Sequence, residues 1–102
     1  MNLRMSADSL RLRLSPQDVE LCEETKTLQE SVNINVRSLQ YCLVLKKDLE
    51  KPSVEFMNDK IEFAVPAQNF LTWLKSSEIE YDYVQKNLKI LIEKDLKPKK
   101  SI

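Results

Sequence analysis

Four basic side chains occupy positions from which they could bind an anion. Arg4, Arg11 and Arg13 alternate with apolar residues near the start of the chain, and Lys89 alternates with apolar residues near its end. A period of two places such side chains on the polar face of a β-strand. Guanidinium and ammonium groups that converge on one site hold phosphate through charge-assisted hydrogen bonds. The pattern predicts an anion site at these four residues if their sheet closes around a polar interior.

The alternative is that these charges face solvent and pair across strands. The second half of the chain favours it, because Glu55 and Glu62 stand at the positions that correspond to Arg4 and Arg11. Arginines in one half of the chain and glutamates at the matching positions of the other half would neutralise each other, which does not favour an interior that binds anions. Each exposed pair would contribute less than about 1 kcal/mol.

Two missing residue types exclude several kinds of catalytic site. The sequence has no glycine, so glycine-rich loops that cradle phosphates are excluded. It has no histidine, the commonest general base and zinc ligand. The spacing of Cys22 and Cys42 matches no metal site, and both are predicted to be buried small hydrophobes rather than redox thiols. Any catalysis would therefore have to use carboxylates, lysines, tyrosines or the two cysteines. The sequence leaves enzymatic activity open but favours a non-catalytic protein with no metal and no cofactor.

The charge balance and hydropathy narrow the classes of partner. The 102 residues carry 16 basic and 16 acidic side chains, which argues against binding nucleic acid or a membrane surface through bulk attraction. No stretch approaches the roughly 18 apolar residues of a membrane span, and the N-terminus lacks a secretion signal. We expect a cytoplasmic protein that binds neither nucleic acid nor membrane. The basic segment at residues 97–100 is interpreted as part of a solvated tail.

The sequence contains an internal repeat. A shift of 51 residues carries Leu10, Leu12 and Leu14 onto Ile61, Phe63 and Val65, and a shift of 49 aligns the ends of the two copies. Each copy reads as a hairpin, a short helix and a second hairpin, or ββαββ. The prediction is one domain over residues 1–102, with pseudo-repeats at 1–50 and 51–95 and a flexible tail at 96–102.

The apolar pattern predicts how these elements pack. The helices are expected to begin at Ser15-Pro16 and at Pro66, and Phe70, Trp73 and Leu74 form the apolar stripe of the second helix. Trp73, with Tyr81 and Tyr83, is therefore expected in the core rather than in an aromatic binding platform. The predicted fold class is α+β. Duplicated ββαββ units would form one curved or barrel-like antiparallel sheet, with two short helices packed on one face.

Three segments carry a resemblance to a known family. The opening NLRMSADSLRLRLS, the central FAVP and the closing LKILIEKDL look like a family of small bacterial proteins of unknown function. The resemblance spans nearly the whole chain. Members of the family have glycine in turns where this chain has Ala7, Asp8, Asn58 or Asp59. The resemblance implies no established activity and no functional residues.

A second resemblance concerns topology alone. The duplicated order of hairpin, helix and hairpin is similar to the CYTH-type triphosphate-tunnel enzymes, whose antiparallel barrel holds a triphosphate with metal ions. Their signature is an alternating Glu-x-Glu-x-Lys on the first strand. Here that strand reads Asn2-Leu3-Arg4-Met5 and carries no acid, which argues against metal-dependent catalysis.

These observations lead to two hypotheses of function. The first is a non-catalytic binding domain that docks a protein partner, or a second copy of itself, along a sheet edge at residues 2–5 or 79–83. The alternative is binding or hydrolysis of a triphosphate compound in a charged barrel interior. The two are distinguished by whether Arg4, Arg11, Arg13 and Lys89 converge on one cavity.

Overall fold

The computed structural model describes residues 1–95, which form eight β-strands and two α-helices in the predicted order, ββαββ twice. The elements are β1 (Asn2–Ser6), β2 (Ser9–Leu14), α1 (Pro16–Thr25), β3 (Thr27–Ile34), β4 (Arg37–Lys46), β5 (Ser53–Met57), β6 (Lys60–Pro66), α2 (Ala67–Lys75), β7 (Glu80–Gln85) and β8 (Leu88–Lys94). The predicted flexible tail, 96–102, lies outside the described residues. No helix within the described part is long and apolar enough to cross a membrane.

The strands form two four-stranded sheets rather than one. Sheet 1 has the order β1-β2-β8-β7, and sheet 2 has the order β3-β4-β6-β5. All four hairpins are antiparallel, but the central strands of each sheet, β2 with β8 and β4 with β6, are parallel. Each sheet thus combines a hairpin from the first half of the chain with a hairpin from the second half.

The prediction of a single antiparallel, curved or barrel-like sheet was therefore wrong. The hairpins follow from local signals, because a short loop between two alternating segments fixes both partner and register. The central pairs join strands that are distant in sequence, and a period of two does not specify which strand lies beside which. Exchange of hairpins between the two halves gives two mixed sheets, and neither closes into a barrel.

Two matching hydrogen bonds support the internal repeat. The amide of Lys89 donates to the carbonyl oxygen of Asp8 over 2.9 Å, and the amide of Gln40 donates to that of Asp59 over 2.9 Å. The shift of 51 carries Asp8 onto Asp59, and the shift of 49 carries Gln40 onto Lys89. The same bond therefore recurs at the start of the central parallel pair in each sheet.

One hydrophobic core lies between the sheets and under the helices. The buried side chains of sheet 1 include Leu12, Leu14, Ile90 and Ile92, and those of sheet 2 include Tyr41, Leu43, Leu45, Ile61, Phe63 and Val65. Helix α1 contributes Cys22, and α2 contributes the predicted stripe of Phe70, Trp73 and Leu74. The Trp73 ring lies 5.1 Å from that of Phe70 and 5.5 Å from that of Tyr81. Trp73 is therefore a core residue, as predicted.

The two helices are capped differently. Ser15 and Asp18 form a capping box at the start of α1, and the Asp18 carboxylate also lies 2.8 Å from the Met1 amino group. Burial raises the pKa of Asp18, but the bonds from Met1 and Ser15 outweigh burial and leave that pKa below its usual value. Helix α1 ends at Lys26, which adopts the left-handed conformation with φ 63°.

A buried lysine closes the C-terminus of α2. The Nζ of Lys94 donates to the carbonyl oxygens of Trp73 at 2.9 Å, Leu74 at 3.3 Å and Ser76 at 2.8 Å. It also lies 4.7 Å from the centroid of the Trp73 ring. Desolvation lowers the pKa of Lys94 from its usual value. Its charge stabilises the negative end of the helix dipole.

Turns that usually contain glycine are built here from other residues. Asn58 and Asp59 both have positive φ, 54° and 62°, as a two-residue type I′ hairpin turn requires. Asn35 and Lys86 are also left-handed, each at the first position of a two-residue loop. Asparagine and aspartate tolerate this conformation better than most residues because their side chains bond locally.

Candidate functional site

The four residues of the predicted anion site lie on the solvent-facing side of sheet 1. Their neighbours along β2 and β8, Leu12 and Ile90, point into the core, and side chains alternate between faces. Arg4 lies directly opposite Arg11, and Lys89 lies opposite Ser9. These residues therefore face away from the space between the sheets.

Three of the four basic residues come together around one carboxylate. The Nε of Arg13 lies 3.4 Å from Oε1 of Glu93, and the Nε of Arg11 lies 3.9 Å from the same oxygen. With Asn2 and Arg4 they line a shallow recess of about 20 Å³. The cluster combines three guanidinium groups with one carboxylate, so it carries an excess of positive charge.

Lys89 belongs to a different part of the same face. It lines a recess of about 440 Å³ that it shares with Arg11 and with two acidic residues, Glu80 and Asp82. Sheet 1 therefore presents mixed charge around Lys89. The structure groups Arg4, Arg11 and Arg13 but places Lys89 among acidic side chains.

The space between the sheets is small and mainly apolar. The cleft between β5–β6 and β7–β8 has a volume of about 10 Å³, and Val54, Phe63, Tyr83 and Ile90 are among its lining residues. Within residues 1–95 no charged tunnel passes between the sheets. The charged interior that the triphosphate hypothesis needs is therefore not found in this part of the chain.

Neither cysteine is placed for chemistry at neutral pH. Cys22 and Cys42 are both buried and unpaired. Burial raises the pKa of the Cys22 thiol to about 11 and raises that of Cys42 as well, so both remain protonated. Within the part of the chain that the structure describes, no group of three or more His, Cys, Asp or Glu side chains could hold a metal ion.

Strand β3 presents unpaired backbone groups at one edge of sheet 2. It is joined to β4 by a two-residue loop, with Ile34 opposite Arg37. Residues that flank such a loop exchange both backbone hydrogen bonds, and the direction of the bonds then alternates along the strand. The N–H and C=O groups of Gln29, Ser31 and Asn33 therefore point outward, away from β4. No backbone group among residues 1–95 pairs with them.

The first outward position of β3 is closed by a side chain from α1. The hydroxyl of Thr25 accepts a bond from the amide of Thr27 at 3.4 Å and shares its one hydrogen between the carbonyl oxygens of Thr27, at 2.8 Å, and Leu21, at 2.9 Å. This contact confirms that the odd-numbered residues of β3 point outward. The free part of the edge therefore runs from Gln29 to Asn33.

One outward position of β5 is occupied in a similar way. The side-chain amide of Gln85 accepts a bond from the N–H of Val54 at 2.8 Å and donates to its carbonyl oxygen at 3.0 Å. A side chain at the end of β7 thus occupies the outward groups of Val54 and ties the two sheets together.

The edges of sheet 1 differ in charge from the second half of β3, since the one charged residue of β3, Glu30, lies in its first half. Strand β1 carries Arg4 and strand β7 carries Glu80 and Asp82. Charged side chains are a common device against unwanted strand pairing. Residues 31–36, SVNINV, carry no charge and no proline, so the second half of β3 lacks this protection.

Exposed apolar side chains accompany the open edge. Val32 is 45% exposed, Ile34 is 56% exposed and Val36, in the loop, is 98% exposed. Val32 and Ile34 lie on the same face of β3 as the buried Leu28, so they extend the inner face of sheet 2 beyond the core. A strand edge with free backbone groups and exposed apolar side chains beside them is suited to contact with another polypeptide.

The second half of this edge strand is unusual in carrying no charge, but the pattern of alternating charged residues did not point to it. The predicted docking edges were residues 2–5 and 79–83; β1 and β7, which include most of these residues, are both edges of sheet 1. The uncharged alternation in SVNINV stands out in a chain in which 31% of residues are charged. That segment could be recognised as an edge only with the strand order known.

Comparison with known proteins gives one match. The model of the Family of unknown function (DUF7009) matches residues 1–100. No curated protein and no solved structure matches the chain. The similarity of topology to the triphosphate-tunnel enzymes thus gains no support from these comparisons, nor from the two open sheets.

Proposed function

The chain belongs to the Family of unknown function (DUF7009), and we propose from its geometry that it is a binding domain that takes up a strand of a protein partner along β3. The observation that carries this proposal is the outward direction of the backbone groups of Gln29, Ser31 and Asn33. By contrast, the outward backbone groups of Thr27 and Val54 are already bonded to the side chains of Thr25 and Gln85.

The chemistry of this edge selects an extended polypeptide. Donors and acceptors that alternate along a strand edge are matched by the backbone of another strand. Val32 and Ile34 add apolar contacts on the inner face, and Gln29 and Asn33 add amide groups on the outer face. Residues 31–36 carry no charge, so this segment does not favour a charged partner.

A labelled peptide with the sequence of residues 27–36 tests this function. Fluorescence anisotropy would be measured at chain concentrations at which the protein sediments as a monomer. We expect saturable binding to the native chain and loss of binding to Ser31→Pro. Proline at this position removes an outward N–H and leaves the bonds between β3 and β4 in place.

Two controls make the peptide experiment specific. Asp82→Pro makes the matching change at an outward position of β7, and it is expected to retain the native affinity. A peptide of the same composition in scrambled order is expected not to bind. Equal binding of the scrambled peptide, or undiminished binding to Ser31→Pro, would overturn the proposed function.

A second candidate is weak anion binding at Arg4, Arg11 and Arg13. The excess of three guanidinium groups over the single carboxylate of Glu93 favours it. We expect tripolyphosphate to raise the melting temperature, Arg11→Ala to remove the shift and Glu93→Gln to enlarge it, because the competing carboxylate is lost. An identical shift in all three proteins would exclude this cluster as the site.

A further inference from the structure

We infer that the partner strand is β3 of a second copy of this chain, paired antiparallel about a twofold axis that passes beside Ser31. This inference rests on the proposed function and names its partner. A twofold interface requires a surface that complements itself, and the edge of β3 meets this requirement in its backbone, its side chains and its charge.

The backbone determines the register. Centring the pair on Ser31 places Gln29 opposite the partner's Asn33 and Ser31 opposite the partner's Ser31. All three free outward positions of each copy are then used, with about six backbone hydrogen bonds in total. Thr27, whose carbonyl oxygen is already bonded to the Thr25 hydroxyl, falls outside the paired segment. The sheets of the two copies would join into one continuous sheet.

The side chains agree with this register. On the outer face, Gln29 meets the side-chain NH₂ of the partner's Asn33, and the two Ser31 hydroxyls meet at the axis. The Oδ1 of Asn33 accepts a bond from Ser38 of its own chain at 2.7 Å, which leaves the NH₂ group for the partner. On the inner face, Ile34 lies opposite the partner's Leu28, so the association covers an apolar side chain that is 56% exposed in the single chain. These pairs match hydrogen-bonding groups with one another and apolar groups with one another.

Charge excludes the register centred on Glu30. Glu30 is the only charged residue of β3. Centring the pair on Glu30 would place two carboxylates directly opposite each other, which is destabilising. Centring it on Ser31 places Glu30 opposite the partner's Val32. The Glu30 carboxylate also lies 3.8 Å from the Met1 amino group of its own chain.

A pair of cysteine substitutions tests the axis directly. Ser31→Cys places two thiols at the twofold axis, about 5.5 Å apart at Cα, within the range for a disulfide. Asn33→Cys, on the same face of the same strand, places the two thiols four residues apart along the paired strands, which is too far for a disulfide. Native Cys22 and Cys42 do not interfere, because both are buried and protonated at neutral pH.

Under mild oxidation the full-length Ser31→Cys protein is expected to form a covalent dimer at least tenfold faster than Asn33→Cys. Sedimentation of the native chain should show a species of twice the chain mass that is lost in Ser31→Pro. Equal rates of cross-linking, or a native chain that stays monomeric at every concentration, would overturn the inference. A monomeric chain that still binds the peptide of residues 27–36 would leave the proposed function intact, whereas failure of both assays would remove both.

Discussion

The hydroxyl of Thr25 lies 2.8 Å from the carbonyl oxygen of Thr27, where it occupies the first outward backbone group of β3. Gln85 occupies the outward groups of Val54 on β5 in the same manner. Within residues 1–95 no side chain makes such a bond at Gln29, Ser31 or Asn33. Strand β7 also has open outward positions, such as Asp82, but it is charged, so the open positions beside the uncharged residues 31–36 make β3 the docking edge that we propose.

The outward direction of Ser31 predicts a difference between two adjacent proline substitutions. Ser31→Pro should change the free energy of unfolding by less than about 1 kcal/mol, because its N–H makes no bond within the chain. Val32→Pro removes an N–H that pairs with β4 and leaves its acceptor without a donor, which should cost about 1–3 kcal/mol. Urea denaturation of dilute protein measures both. Equal destabilisation would contradict the alternation assigned to β3.

Lys94 predicts a large loss of stability from the removal of one buried cation. Lys94→Met leaves the carbonyl oxygens of Trp73, Leu74 and Ser76 without their donor. We expect the free energy of unfolding to fall by about 2 kcal/mol at pH 7. Urea denaturation followed by circular dichroism measures the change. Lys89→Met, on the exposed face of the same strand, is the control and should stay within about 0.5 kcal/mol.

The lowered pKa of Asp18 predicts a contribution to stability that depends on pH. A carboxyl group whose pKa is lower in the folded than in the unfolded chain stabilises the protein above its usual pKa of 3.8. That contribution is lost as the pH falls through the lower, folded value. Asp18→Asn should therefore reduce the free energy of unfolding by about 1–2 kcal/mol at pH 7 and by less in strong acid.

The control for Asp18 is Glu20→Gln, which neutralises an exposed carboxylate on the same helix. Denaturant titrations at several pH values would compare both variants with the native chain. A deficit for Asp18→Asn that stays constant from neutral to strongly acid pH would contradict the role of its charge.

The left-handed conformation of Lys26 predicts that a glycine at this position would stabilise the chain. Its φ of 63° lies in the left-handed region, where a side chain costs roughly 1 kcal/mol or more. Lys26→Gly should raise the free energy of unfolding by about 1 kcal/mol. Glu24→Gly, inside helix α1, should lower it by a similar amount. A loss of stability in both variants would show that the Lys26 side chain contributes more than its backbone strain costs.

Local features of the fold could be predicted from the sequence. Ser15 and Pro16 mark the start of α1, and Asn58-Asp59 marks the β5–β6 turn, because capping and positive φ are properties of neighbouring residues. The alternation around Arg11 correctly indicated which side chains share a face. The pairing of β2 with β8 depends on contacts between opposite ends of the chain, so no local pattern contained it.

The same distinction between local features and long-range pairing applies to the candidate site. Arg4, Arg11 and Arg13 were predicted to share a face, and they do, but whether that face is inside or outside depends on the sheet closing. The open edge at Ser31 could not be predicted, because it requires knowing that β3 ends its sheet. The uncharged SVNINV segment acquires meaning only when that order is known.

Amide hydrogen exchange, measured by NMR in dilute protein with and without excess peptide of residues 27–36, is the sharpest test of β3 as the docking strand. Without peptide, the amides of Ser31 and Asn33 should exchange rapidly while that of Val32, which pairs with β4, is protected. With peptide, Ser31 and Asn33 should become protected and the outward amide of Asp82 on β7 should not change. Protection of Ser31 without peptide, or no gain of protection with it, would contradict the assignment of β3 as the docking strand.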